Sequence, residues 1–526
     1  MTTAGRPDGR PVSVVDTCAA SVSVPTGGAY DVANALDTLR AAMQESRANR
    51  SLVVSDPLSD QTGGSLRRFR VLGLILGVLV CAAVLIAPTP EGLASEAQSA
   101  LAIFALCFVL WVTGALPLAV TSILAIVLLP TLRVIPASRS FSLFGSSAVF
   151  FILGAFIMAA AMMKSGLSTR LALAFLRRFD SGPRTLLAGV ILAGGFLAFW
   201  MPEHAVAALM FPIVLEIARA LELEPGRSRY GRALFLALAW GTVVGGVATF
   251  LGGARNPLAL GILKEHYDLT IGFLDWMVAV APLSVILMGA IFLLLSRSFP
   301  SNVTDVSRAG VVLREKANAL GPMGRREKGI AAIVIITIIS WIVAGRGFDL
   351  ASISLLAAVS MFAFDLIDWK SVEEYVNWGV ILMYGGAIAI AAALHETGAA
   401  KWIAEAGMAR IGAMPPFWML MTFALVATFL TEAISNVAAV ALLLPICFGI
   451  AEGAGIPPVL VVYAVAVPAG LAFALPMGSP PNAIAYSAGY FRLKHAVSVG
   501  ALLKIVALAL FAAAALFYWP ALGLVV

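Results

Sequence analysis

Two apolar stretches of this chain are each interrupted, near their centres, by residues that a lipid-facing helix does not carry. Leu430 to Ile446 reads LTEAISNVAAVALLLPI and sets Thr431, Glu432, Ser435 and Asn436 within a turn and a half. Phe199 to Val214 reads FWMPEHAVAALMFPIV and follows the same plan: a polar tip, an Ala-rich run and a Pro-Ile pair. An unsatisfied polar group in hydrocarbon costs several kcal/mol, so these residues must find partners inside the protein, and polar groups at that depth are site candidates. Aligning Pro212-Ile213 with Pro445-Ile446 sets Pro202, Glu203 and His204 against Ser435, Asn436 and Val437. The chain holds its motif twice.

Composition fixes the solvent. The 526 residues are 60% apolar and 12% charged, whereas soluble domains run at about 45–50% and about 25%. A polytopic membrane protein is expected. The net charge of +6 does not imply nucleic acid, because the basic residues cluster beside apolar runs, as Arg67, Arg68 and Arg70 do; that is the positive-inside pattern. Cys18, Cys81, Cys107 and Cys447 lack metal-ligand spacing, and His204, His266, His395 and His495 are equally scattered, so neither zinc nor a disulfide framework is implied.

Residues 1–66 are rich in Gly, Pro, Ser and charge, with no apolar run near Met1, so a cytoplasmic tail is expected in place of a cleaved signal. Within it Val32, Leu36, Leu39 and Met43 recur at helical spacing. A first transmembrane helix is expected in 67–97. A first repeat then occupies 98–296, with a re-entrant hairpin at 185–220 and a helix broken around Gly252-Gly253-Ala254-Arg255-Asn256-Pro257 at 233–263. A basic cytoplasmic linker follows at 297–328. The second repeat fills 329–526, with its hairpin at 415–452 and its broken helix at 459–486, interrupted at Gly478-Ser479-Pro480-Pro481-Asn482. About eleven transmembrane helices are expected in all. Arg133 and Arg139 fall on the outer side, against the charge rule.

The duplication is visible residue by residue. GAFIMAAAMMKSG at Gly154 to Gly166 matches GAIAIAAALHETG at Gly386 to Gly398. Each unit holds five spans and a hairpin, an odd number, so the two copies run in opposite directions through the bilayer. Inverted repeats with broken helices meeting near the midplane point to a secondary transporter. Helix N-termini at such a centre favour an anion, and hydroxyls and carbonyls there suit Na+. An intramembrane enzyme using Glu203 and His204 is disfavoured because no nucleophile or metal spacing accompanies them. A channel is disfavoured because hairpins closing over a central site suit alternating access.

TEAISN-V-A followed by LPI, and later LPMGSPPNAIAYSAGY, resemble the second-half motifs of the divalent anion/sodium symporters, the INDY-type family of dicarboxylate, citrate and sulfate transporters. The resemblance runs from about Gln98 to Val526. It implies an all-helical homodimer in the inner (plasma) membrane, with scaffold domains and elevator-like transport domains, and Ser-Asn-Thr at each hairpin tip. Carried over, Thr431, Ser435, Asn436 and Gly478 would bind Na+, while Asn436 and Ser479 would touch the anion. Val437 departs from the usual Thr. In the first half the tip is Pro202-Glu203-His204, Ala198 stands opposite Thr431, and Arg255 replaces Pro481. The first sodium site thereby loses its side-chain ligands.

A charged pair is expected in its place, Arg255 held by Glu203, with His204 near the anion; a structural bridge is the competing reading. The candidate substrate-binding set is Glu203, His204, Arg255, Asn256, Asn436, Val437, Ser479, Pro480 and Asn482. Glu432 is expected to brace its hairpin, Lys164 and Glu396 to snorkel, and Trp200, Trp378 and Trp418 to anchor at interfaces. The expected activity is Na+-coupled transport of C4-dicarboxylates. Sulfate or bicarbonate, proton coupling and anion exchange remain alternatives.

Overall fold

The computed structural model describes residues 63–344, 349–411 and 414–524. The chain divides into two units, Met1–Arg68 and Phe69–Val526. The expected tail and its amphipathic helix at Val32 to Met43 lie outside the described residues, apart from 63–66.

No strand occurs among the described residues. That outcome follows from the solvent, since a helix pairs its own N–H and C=O groups within one segment. Helix α1 spans Gly63–Ile86. The next ten are α2 Ser95–Thr113, α3 Leu118–Thr131, α4 Ala137–Ser142, α5 Ser147–Lys164, α6 Leu167–Leu176, α7 Pro183–Trp200, α8 Glu203–Ala220, α9 Arg229–Gly245, α10 Arg255–Tyr267 and α11 Phe273–Ser298. After α12, Ser307–Ala319, the series recurs in the same order. It comprises α13 Arg325–Ala344, α14 Leu350–Ala363, α15 Trp369–Tyr375, α16 Trp378–Glu396, α17 Ala399–Ile411, α18 Pro416–Ala433, α19 Asn436–Gly453, α20 Pro458–Ala469, α21 Pro480–Ser487 and α22 Leu493–Ala513. A π-turn, Ala514–Tyr518, and a last short helix close the chain. Among the described residues, eight helices are long and apolar enough to cross a membrane, and five shorter apolar helices accompany them.

Local sequence explains the boundaries. Pro183, Pro416, Pro458 and Pro480 stand at the first helical position of α7, α18, α20 and α21, where the missing N–H is no loss and the fixed φ suits the helix. Gly166 and Gly398 turn α5 into α6 and α16 into α17 at φ 82 and 76, the left-handed region where a side chain is disfavoured.

The two series interlock. Helix α5 packs along α14 of the other series, and α16 packs along α3. The contact residues are repeat equivalents: a Cβ on Gly154 would lie 2.6 Å from Ser354 Cβ, and one on Gly386 would lie 2.6 Å from Ser122 Cα. Small residues allow such close approach where lipid supplies little hydrophobic drive between helices. Arg139, which broke the charge rule, bonds Glu396 at 2.9 Å and also reaches Glu265. Glu396, at the end of α16, is thus an ion-pair partner of Arg139. Trp418 and Trp378 are exposed, while Trp200 is half-buried against Phe196.

Gly154→Val and Gly386→Val should each destabilise the purified protein by at least the about 1–3 kcal/mol typical of overpacking. Thermal unfolding in detergent checks this, with Gly289→Val, at an open position, near wild type.

Candidate functional site

The two hairpin tips share one backbone solution. Helix α7 stops at Trp200, and Met201 and Pro202 are extended (φ −139, ψ 153; φ −53, ψ 130) before α8 begins at Glu203. Helix α18 stops at Ala433, and Ile434 and Ser435 repeat those angles (φ −134, ψ 167; φ −56, ψ 138) before α19 begins at Asn436. Pro202 fixes its own φ and pushes Met201 toward extended backbone.

In the first series the tip is bound to the helix break between α9 and α10. The Glu203 amide donates to the Gly252 carbonyl at 2.8 Å, and the Thr249 hydroxyl donates to the Phe199 carbonyl. Arg255 Nη1 donates to Glu203 Oε2 at 3.1 Å, with the two residues 1% and 5% exposed. Either charge alone at that depth would be costly, so each requires the other. Gly246 and Gly253 lack side chains where the carboxylate and guanidinium lie. Tyr384 of α16 donates its hydroxyl to the Ala254 carbonyl.

In the second series oxygens replace the fixed charges. The Thr431 hydroxyl lies 2.7 Å from Asn436 Oδ1 and 2.6 Å from the Ala469 carbonyl. It has one proton for two acceptors. Three converging oxygens are the donor chemistry of a hard cation. Gly478 packs against the Thr431 carbonyl and the Glu432 carboxylate, where a Cβ would lie 3.2 and 3.0 Å away. Ser435 is half-buried, and its carbonyl accepts the Ala439 amide at 2.9 Å. Val437 is buried, and Pro480 is exposed at the start of α21. Glu432 braces the opposite break: its carboxylate accepts the amides of Phe473, Ala474 and Leu475 at 2.8, 2.9 and 2.7 Å.

The halves meet at the bend after α20. The space a side chain on Gly470 would need is filled by the Arg255 guanidinium, and the preceding carbonyl, Ala469, is the one bonded to Thr431. Arg255 and Thr431 therefore meet at one turn of backbone, with Asn436 bonded to Thr431. Four buried atoms of the expected residues have no hydrogen-bond partner: Arg255 Nε and Nη2, Asn256 Oδ1 and Ser479 Oγ.

Two of the expected ligands have one end committed to backbone. Asn256 Nδ2 donates to the Gly246 and Thr249 carbonyls at 3.1 and 2.7 Å, and Asn482 Nδ2 to Ala472 at 2.9 Å. These amides hold their own helix breaks together. The His204 ring is half-buried and stands edge-on to Phe156 of α5. Lys504 is not among the expected site residues, although a lysine inside an apolar span is itself a signal. Nor are Gly470, Trp240 and Tyr384, which only tertiary contact singles out.

A chain whose described residues form helices and no strands, with paired helix hairpins and interrupted helices around buried polar groups, is a polytopic membrane transporter. The chain belongs to the family described as the sodium:sulfate symporter transmembrane region, which matches residues 69–525, and the family resemblance of its motifs holds. The sodium-dependent dicarboxylate transporter SdcS from two Staphylococcus aureus strains, RF122/ET3-1 and USA300, is 29% identical over 459 residues. The match covers 82% of this chain and 88% of SdcS. Two solved transporters share the fold. MtrF of Neisseria gonorrhoeae, titled an antimetabolite efflux pump, has TM-score 0.50 at 15% identity, covering 85% of this chain and 94% of MtrF. YdaH of Alcanivorax borkumensis has TM-score 0.51 at 14% identity, covering 87% and 98%.

Glu203→Gln leaves the buried guanidinium uncompensated and should cost about 3–5 kcal/mol. The double change Glu203→Gln/Arg255→Met should recover most of the melting temperature lost by the single variant.

Proposed function

We propose that the protein is a secondary active transporter that carries a small divalent anion, a C4-dicarboxylate first, together with Na+. The observation that carries this reading is Arg255: a buried guanidinium whose Nε and Nη2 edge has no partner and lies on the Gly470 bend. That edge is the fork that takes a carboxylate with two parallel hydrogen bonds. The starts of α8, α10, α19 and α21 at the same breaks add their positive helix ends. Ser479 Oγ and Asn436 belong to the same anion contact in this reading. Na+ binds the oxygens of Thr431, Asn436 and Ala469, with the Ser435 and Gly478 backbone beside them. SdcS, named as a sodium-dependent dicarboxylate transporter, supports both the cation and the anion class.

The two helix series lie in opposite orientation in the plasma membrane with the N-terminus inside, and in a homodimer the hairpins and broken helices move as a unit past the rest. Because Arg255 at the first break is paired with Glu203 at the first tip, the cycle uses one Na+ at the second tip. The loss of hydroxyl and amide ligands from that first tip favours one variant of this reading, a proton carried by Glu203 or His204. It requires uptake driven by an inward proton gradient without Na+ and abolished in Glu203→Gln.

The test is uptake of labelled succinate into proteoliposomes under an inward Na+ gradient, with K+ as control and sulfate and bicarbonate as competitors. Uptake should require Na+ and resist sulfate; equal uptake in K+ overturns sodium coupling, and stronger competition by sulfate reassigns the substrate. Arg255→Met, assayed with Glu203→Gln to preserve the fold, should raise the succinate KM about 10-fold to about 150-fold, the range for losing a charged hydrogen-bond donor.

A further inference from the structure

Glu432 and Lys504 form a second buried ion pair that the anion and sodium contacts do not use. Lys504, in the middle of α22, places Nζ 2.8 Å from Glu432 Oε1, donates to the Thr428 carbonyl at 3.1 Å and lies over the Phe429 ring at 5.4 Å. Both residues are 7% exposed. The pair therefore belongs to three elements at once: the end of α18, the last long helix, and the ten residues that join α20 to α21.

Its position gives it a task. The joining segment leaves Ala469, whose carbonyl bonds Thr431, and returns at Gly478, which packs on the Thr431 carbonyl. Between these points nothing helical holds it, apart from a single 3-10 turn at Pro476–Gly478. Three successive amides, Phe473 to Leu475, are fastened to the Glu432 carboxylate. A row of amides of this kind is an anion-binding concavity, and here the protein's own carboxylate fills it. The opposite faces of those peptide planes are fixed as well: the Ala472 carbonyl accepts Asn482, and the Phe473 carbonyl accepts Trp240 Nε1 at 3.1 Å. The carboxylate sits one residue from Thr431, so a shift of the segment moves Ala469 and Gly478 away from the Thr431 oxygens. Lys504 allows a full negative charge to remain buried there without itself contacting either proposed ligand.

We infer that Glu432 and Lys504 are positioning residues for the sodium site, holding the α20–α21 segment so that the Ala469 and Gly478 backbone stays on Thr431. The inference rests on the sodium assignment above and adds to it a pair acting through the segment. The experiment measures Na+ activation of succinate uptake in proteoliposomes for wild type and for Glu432→Gln/Lys504→Met, which leaves no unpaired buried charge and keeps side-chain volume. An amide nitrogen cannot accept the Leu475 N–H, so the segment loses at least one fastening.

The half-saturating Na+ concentration should rise about tenfold, while the succinate KM at saturating Na+ stays within about twofold of wild type. Glu432→Asp keeps the charge but withdraws it by one methylene. It should shift Na+ activation in the same direction, and it serves if the neutral pair does not fold. Wild-type uptake without Na+ dependence overturns the sodium assignment itself. Sodium-dependent wild type with unchanged Na+ activation in these variants, or with Na+ and succinate constants rising in parallel, overturns the inference alone.

Discussion

A helix that stops inside an apolar layer leaves its last carbonyls and the next helix's first amides without partners, and no water is there to take them. This protein interrupts its helices four times near one place, and the interruptions are stable only because side chains answer the freed backbone. Asn256 and Asn482, at the starts of α10 and α21, turn their amides back onto the carbonyls of the preceding break. Trp240 and Trp276 donate indole N–H groups to the Phe473 and Val247 carbonyls at 3.1 Å each. Thr249, Tyr384 and Glu432 answer others. Side-chain bonds of this kind are what allow non-helical backbone to exist at such depth.

The two series meet this constraint in the same places with different chemistry. In the second, a hydroxyl, an amide oxygen and a carbonyl converge without a fixed positive charge, while the nearby carboxylate is committed to three amides and a lysine. In the first, the hydroxyl position is Ala198, the tip carries Glu203, and Arg255 supplies a permanent cation whose counter-charge is one residue into α8. The two tips share their backbone angles; one half carries a fixed charge and the other an oxygen cluster. The guanidinium is part of the chain and cannot leave, whereas the oxygen cluster carries no charge of its own.

Much of this was legible in one dimension. The breaks at Trp200 to Glu203 and Ala433 to Asn436 could be read because polar residues and proline interrupt runs that are otherwise apolar. The meeting of Glu203 and Arg255 could be read because neither charge is tolerable alone in that setting. Arg139 could not: on charge counting it sat on the wrong side, and its partners Glu265 and Glu396 are 126 and 257 residues away. The backbone bonds of Asn256 and Asn482 were also hidden, because a sequence does not show which carbonyls an asparagine amide reaches.

The sequence alone determined the solvent, the helices and the places where polar residues interrupt them, because each depends on local composition and period. Tertiary structure alone decided which atoms face one another. Gly470 shows the difference: in the sequence it is one glycine among 47, and in the fold it is where a guanidinium from the other half of the chain comes to rest. Such contacts join residues more than two hundred positions apart, and only the interlocked packing of the two series sets that distance.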